Sequence, residues 1–191
     1  MKKVSFLFIL AVIFGISTFA VAAEVEDYSS TIKVFNDSPA VQKFFNNSYG
    51  YAVFPNIGKA GFVVGGSYGT GQVYQGGKVT GKSRVIKGSI GFQLGGKVFS
   101  QIVFFEDKRA YDEFTSGNFE FDATAQAVAI TAGGEAQVGT GGASAGASAG
   151  PKTGVQAETD YIKGMAIFVH AKGGLMYELS IGGQRFDFQR L

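Results

Sequence analysis

Short apolar runs separated by glycine fill the middle of the chain, from Tyr51 to Phe105. β-branched and aromatic residues dominate these runs, a pattern typical of closely packed strands with tight connections. A Gly-Gly pair between Gln75 and Lys78 predicts a hairpin turn. Strands are predicted at 51–54, ended by Pro55, and at 61–68, 72–74, 79–86, 88–94 and 98–105.

Two segments carry helical patterns. Ser38 followed by Pro39 predicts an N-cap and a first helical residue, with a stop at 46–50. Val41, Phe44 and Phe45 would share one face of this helix, which we expect to pack on the sheet. A membrane-binding helix is the alternative, and its single Lys43 disfavours it, because interfacial helices are rich in Lys and Arg. A second short helix is predicted from Glu106 to Phe114.

The rest of the chain again predicts strands. Residues 119–138 are rich in Ala and Gly, as in strands that lie close to another backbone. A final hairpin is predicted from 161–171 and 175–181, around Gly173-Gly174. The predicted fold class is therefore α+β and mainly β: an antiparallel, Gly-rich sheet, as a sandwich or a barrel-like core, with two or three short helices.

The first 23 residues have the pattern of a secretory signal peptide. Lys2 and Lys3 precede an apolar run from Val4 to Phe19, and small residues follow at 20–23. An uncleaved anchor is the alternative, although the run is short for a spanning helix of ~20 residues. We predict a single domain over 24–191, exported to the periplasm or beyond, with a flexible Gly/Ala/Ser loop at 139–154.

Composition limits the chemistry that the chain can perform. It has 29 glycines in 191 residues, but also 19 Phe and 8 Tyr, so it has ample side chains for a core. It contains no Cys and one His, His170, so a thiol nucleophile, a disulfide and a multi-histidine metal site are excluded. Asp122, Glu158 and Asp160 have no spacing that distinguishes them from surface carboxylates. We expect no enzymatic activity, no metal and no cofactor.

Residues 76–83, Gly-Gly-Lys-Val-Thr-Gly-Lys-Ser, match the phosphate-loop pattern letter for letter. That mechanism requires a helix that begins at the Lys-Ser pair and points its amides at the phosphates. The residues that follow alternate with a period of two and include several glycines, which favours a strand. We therefore predict a hairpin here and no nucleotide ligand.

Charge is distributed unevenly along the chain. Residues 38–105 contain seven basic and no acidic residues, between acidic segments on both sides. Four of the basic residues fall within ten positions of the predicted hairpin: Lys78, Lys82, Arg84 and Lys87. Alternation along a strand would place Lys78, Lys82 and Arg84 on one face. They predict a site for anionic lipid headgroups, or else a solvated edge strand whose lysines block pairing with other chains.

Several segments resemble the SYLF family, a lipid-binding domain found in exported bacterial proteins and in eukaryotic endocytic and phosphoinositide-binding proteins. The residues that carry the resemblance are 53–55, 59–66, 68–69, 71, 88–95, 122–125 and 160–168. It implies a non-enzymatic, peripherally membrane-associated module that binds anionic lipids, and no nucleic acid. The actin binding of eukaryotic relatives is not expected in an exported chain. A structural scaffold of the cell envelope, with envelope proteins as partners, is the alternative.

Overall fold

The computed structural model describes residues 26–61, 64–90, 97–122, 125, 127–130, 136–139, 160–172 and 181–191. The predicted signal peptide, nearly all of the predicted loop at 139–154 and residues 173–180 of the last hairpin lie outside these ranges. The helices are α1 (Ser29–Asn36), α2 (Pro39–Asn47) and α3 (Lys108–Phe114). The strands are β1 (Gly50–Gly61), β2 (Val64–Gln75), β3 (Lys78–Ile90), β4 (Lys97–Phe105), β5 (Phe119–Glu120), β6 (Ala127–Ile130), β7 (Ala136–Gly139), β8 (Met165–Lys172) and β9 (Arg185–Arg190).

Within the described residues these strands form one curled sheet in the order β5-β9-β3-β2-β1-β4-β8-β6-β7. Neighbouring strands are antiparallel, except that β6 runs parallel to β8. The predicted fold class, mainly β with short helices, is confirmed. None of the helices in the described ranges is long and apolar enough to cross a membrane.

The predicted hairpin joins β2 to β3. Gln75 and Lys78 are paired, and the two turn residues, Gly76 and Gly77, have φ values of 56° and 76°. A two-residue turn with both φ values positive is the type I′ turn that suits the twist of a hairpin, and glycine adopts it without steric cost. Residues 78–83, which complete the phosphate-loop pattern, are therefore part of a strand.

The prediction that Pro55 ends the first strand is wrong. β1 continues to Gly61, and its register shifts between Val53 and Asn56 against β2 and between Phe54 and Ile57 against β4. Proline has no N–H to donate, and a bulge is one of the few places in a sheet where that loss is tolerated. The strand thus accommodates Pro55 by a bulge.

Each face of the sheet packs against an apolar core. On the face that we call inner, Val73, Val85 and Phe186 belong to one core, with Tyr111 and Phe114 of α3. On the outer face, a second core contains Phe35 of α1 and Phe44 of α2, packed against β-strand residues such as Phe104. Successive residues of a strand point to opposite faces of the sheet. The face of each remaining strand residue therefore follows from its position relative to these core residues.

The predicted helices are present, with one addition. α2 begins after Ser38, and its Phe44 is buried against Phe104, Tyr161 and Phe168, which confirms the packing interpretation of this helix. α3 begins at Lys108, two residues later than predicted, because Asp107 caps it through a hydrogen bond from the Ala110 amide. α1 was not predicted from the sequence.

Candidate functional site

β3 presents two of the four predicted site residues on the outer face. Lys82 is paired with Gln72, and Arg84 with Thr70. Both alternate with Ser83 and Val85, and Val85 belongs to the inner core. Lys82 and Arg84 therefore point to the outer face, where Arg84 is exposed and Lys82 is half-buried.

The prediction that Lys78 shares their face is wrong. Val79 is opposite Tyr74 whereas Gly81 is opposite Val73, so Thr80 is an extra residue in β3. Such a bulge reverses the alternation, and Lys78, opposite Gln75, lies on the inner side of the sheet. Lys87 has the same parity as Val85 and is also on the inner side. The structure brings Lys82 and Arg84 together and separates them from Lys78 and Lys87.

The edge-strand alternative fails for the central pair. β3 is bonded to β2 along one side and to β9 along the other, from Gly81 to Ile86. Lys82 and Arg84 lie inside this doubly paired span, so they have no free strand edge to protect.

Lys82 and Arg84 line a groove of about 440 Å³ on the outer face. Its floor is formed by β2, β3 and β9, and the chain segment 26–28 lies along its side. Most of the lining residues have polar side chains; the whole set is Glu26, Tyr28, Thr70, Gly71, Gln72, Lys82, Ser83, Arg84, Asp187, Phe188 and Gln189.

Asp187 orients the guanidinium of Arg84. Arg84 Nη2 lies 2.7 Å from Asp187 Oδ2, and Arg84 Nε is 3.0 Å from the same oxygen. These hydrogen bonds, with the charge of Asp187, raise the pKa of the guanidinium, which stays charged in any case. Sequence reasoning did not single out Asp187, although the alternation Arg185-Phe186-Asp187-Phe188 is a strand signal that would have pointed to it.

Two hydrogen bonds, one buried and one partly buried, hold the side of the groove. Gln72 Nε2 donates to the backbone oxygen of Glu26 at 2.8 Å, and Tyr74 Oη donates to Gln72 Oε1 at 2.7 Å. Burial raises the pKa of Tyr74 to about 12, and burial together with Glu26 raises that of Tyr28 to about 12. Both phenols are neutral donors at physiological pH. Tyr74 holds the Gln72 side chain that contacts the segment 26–28, and Tyr28 Oη donates to Glu26 Oε2 at 3.0 Å within that segment.

The other ionisable residues noted in the sequence form no comparable site. Asp122 pairs with Lys163 at the surface, and the carboxylate of Asp160 accepts a hydrogen bond from the Tyr161 amide. His170 is half-buried, and burial lowers its pKa, with a further contribution from Lys172. Glu158 lies outside the described residues. Across the described ranges, no group of three or more His, Asp or Glu side chains is arranged to hold a metal ion.

Comparison with known proteins finds a distant relative but assigns no family. The chain is 27% identical over 161 residues to Beta cell expansion factor A of Aeromonas veronii. The match covers 83% of this chain and 52% of the relative, so the chain spans about half the length of that protein. No family model matches the chain, and its membership of the SYLF family stays a prediction.

Proposed function

We propose that this protein is a non-enzymatic, exported module that binds anionic phospholipid headgroups, and that the groove around Lys82 and Arg84 is the headgroup site. The observation that carries the proposal is the placement of these two cations, side by side on an interior strand and in a groove. The SYLF resemblance supplies the ligand class. The relative Beta cell expansion factor A adds similarity along most of the chain, but its name specifies no ligand.

The chemistry of the groove suits a phosphate group. The guanidinium of Arg84 is a planar fork that can donate two hydrogen bonds to phosphate oxygens, and Asp187 presets its orientation. Lys82 lies two residues before Arg84 in β3, on the same face, and supplies a second positive charge. Thr70 and Gln189 provide neutral hydrogen-bonding groups for the remainder of a headgroup.

The acidic residues of the groove limit the strength of the attraction. Asp187 offsets part of the charge of Arg84, and Glu26 also lines the groove. A basic residue near an anionic surface contributes ~1 kcal/mol, and the attraction is screened beyond about 10 Å at 0.1 M salt. Binding should therefore be moderate, should weaken as salt rises, and should require anionic lipid.

The experiment is vesicle sedimentation of the chain from Glu24, with phosphatidylcholine vesicles with and without phosphatidylglycerol. The double variant Lys82→Gln/Arg84→Gln should bind the anionic vesicles about tenfold more weakly. The matched control Lys78→Gln/Lys87→Gln removes the same charge from the inner side and should bind nearly as well as the parent. Circular dichroism verifies that both variants are folded.

Two outcomes would contradict the proposal. Equal weakening by both double variants would show that net charge, and not the groove, determines binding. If the parent does not sediment with anionic vesicles at low salt, lipid binding itself is excluded, and an envelope scaffold without a lipid ligand becomes the better interpretation.

A further inference from the structure

Among the residues that the structure describes, three large apolar side chains are exposed on the outer face beyond the groove. Tyr68 of β2 is 54% exposed, Ile86 of β3 is 53% exposed and Val98 of β4 is 41% exposed. Helices α1 and α2 cover the other half of this face through Phe35, Val41 and Phe44, which are buried in the outer core. The three exposed residues lie on the half that the helices leave uncovered.

Register places the three residues in one line across the sheet, which we call the apolar row. Ile86 is opposite Tyr68, Tyr68 is opposite Gly58, and Gly58 is opposite Val98. With strands about 4.8 Å apart, the row is about 14 Å long. A Cβ added at Gly58 would meet no atom within 4 Å, so the middle of the row is also open.

Cationic residues lie at both ends of the apolar row and beside it. Arg185 is opposite Ile86 at one end, and Lys172 is opposite Val98 at the other. Arg84 lies two residues before Ile86 on the same face. Arg185 is paired with Glu120, and Lys172 donates to the Asn56 side chain at 2.8 Å, so these side chains are held at the surface.

We propose that the apolar row is the part of this protein that enters the bilayer interface when the groove binds a headgroup. The inference rests on the proposed function and specifies which surface of the protein faces the membrane when a headgroup is bound. Apolar residues flanked by cations are complementary to a layer of anionic headgroups above hydrocarbon, and tyrosine favours that interface. A lipid surface fits better than a protein partner, because the row is an open strip of sheet with cations at both ends.

The absence of cysteine from the chain allows a site-specific test. Ile86→Cys and Val98→Cys, each labelled with an environment-sensitive fluorophore, report on the row. Ile162→Cys and Val34→Cys are matched controls, since Ile162 is 52% exposed and Val34 is 41% exposed at positions outside it. With phosphatidylglycerol vesicles, the row labels should shift to shorter wavelength and be quenched by brominated acyl chains, whereas the control labels should not.

A second variant tests the energetic role of the row. Tyr68→Ser/Ile86→Thr/Val98→Thr keeps residues that are tolerated in strands and should weaken binding about tenfold, with the largest loss at high salt, where the apolar contribution dominates.

The possible failures can be told apart. If the parent never sediments with anionic vesicles, the proposed function fails. If the parent sediments and Lys82→Gln/Arg84→Gln weakens vesicle binding, the groove binds lipid. If, in the same protein, labels at 86 and 98 respond no more than those at 162 and 34, the inference about the row is wrong. Row labels that stay solvent-exposed on vesicles to which the parent binds would overturn the inference about the row.

Discussion

At the scale of single residues, the packing of aromatic rings explains why Gly71 cannot carry a side chain. A Cβ at this position would lie 2.5 Å from Phe54 Cδ1 and 2.5 Å from the Val53 carbonyl oxygen. The same Cβ at Gly88 would meet nothing within 4 Å. Gly71→Ala should therefore lower the free energy of unfolding by about 1–3 kcal/mol, the cost of overpacking a core. Gly88→Ala should change it by less than about 1 kcal/mol. Urea unfolding of both variants measures the difference, and equal effects would contradict the packing argument.

Tyr74 predicts how stability depends on alkaline pH. Its pKa is raised to about 12 by burial, whereas tyrosine in an unfolded chain ionises near pH 10. As the pH rises, the unfolded state loses the proton first, so the folded state binds more protons. The stabilisation is complete below about pH 10 and is lost as the pH rises towards 12.

Urea unfolding at several pH values tests this sign. The free energy of unfolding of the parent should fall from about pH 10 upward. In Tyr74→Phe the fall should be less steep, by a slope that corresponds to at most one proton. Tyr28 and Tyr161, whose pKa values are also raised to about 12, leave a residual slope of the same sign. If the slope is the same in Tyr74→Phe as in the parent, the Tyr74 hydroxyl ionises at the same pH in the folded and unfolded states, and the argument is wrong.

At the scale of elements, α3 depends on its cap. The helix has seven residues, and Asp107 Oδ1 accepts a hydrogen bond from the Ala110 amide at 2.8 Å. Asp107→Ala should cost about 0.5–2 kcal/mol, because one of the first amides of the helix then lacks its partner. Asp107→Ser retains a capping oxygen and should cost less. Thermal or urea unfolding distinguishes the two, and equal losses would assign the effect to charge and not to capping.

Local signals in the sequence predicted the elements that local chemistry determines. Gly76 and Gly77 specify their turn wherever the strands lie, and Ser38-Pro39 specifies the start of α2. The extra residue at Thr80 has no such signal, because it is defined only by pairing with β2. β1 passes Pro55 for a similar reason: pairing on both sides outweighs one lost donor. The sequence therefore predicted the hairpin that carries the four basic residues, but not the face of the sheet on which each of them lies.

α1 is a helix that local signals in the sequence do not predict. Its residues include Thr31, Ile32 and Val34, which are poor helix formers, and Tyr28 before it provides no side-chain cap. The helix is stabilised by burial of Phe35 in the outer core. No window of sequence around it contains that information, since the partners of Phe35 come from residues far along the chain.

At the scale of the whole molecule, the last strand joins distant parts of the chain. β9 pairs with β3 and β5, and its Phe186 is fully buried. The ring of Phe186 contacts the rings of Phe54, Phe114, Phe119 and Phe121. β1, α3 and the segment around β5 thus meet at one side chain, and β9 also carries the Asp187 that orients Arg84 in the groove.

Removal of β9 should therefore disrupt the fold and not only the groove. Phe186→Ala should lower the free energy of unfolding by about 3–5 kcal/mol, because the inner core loses a large aromatic ring. Deletion of 185–191 should abolish a cooperative urea transition, because β3 also loses a partner strand.

Deletion of Leu191 alone is the control. Leu191 is 53% exposed and its amide makes one hydrogen bond, to the Thr80 oxygen, so the loss of stability should be about 1 kcal/mol or less. A cooperative transition in the chain without 185–191 would show that the sheet closes without its last strand, and the dependence of the groove on β9 would then be limited to Asp187.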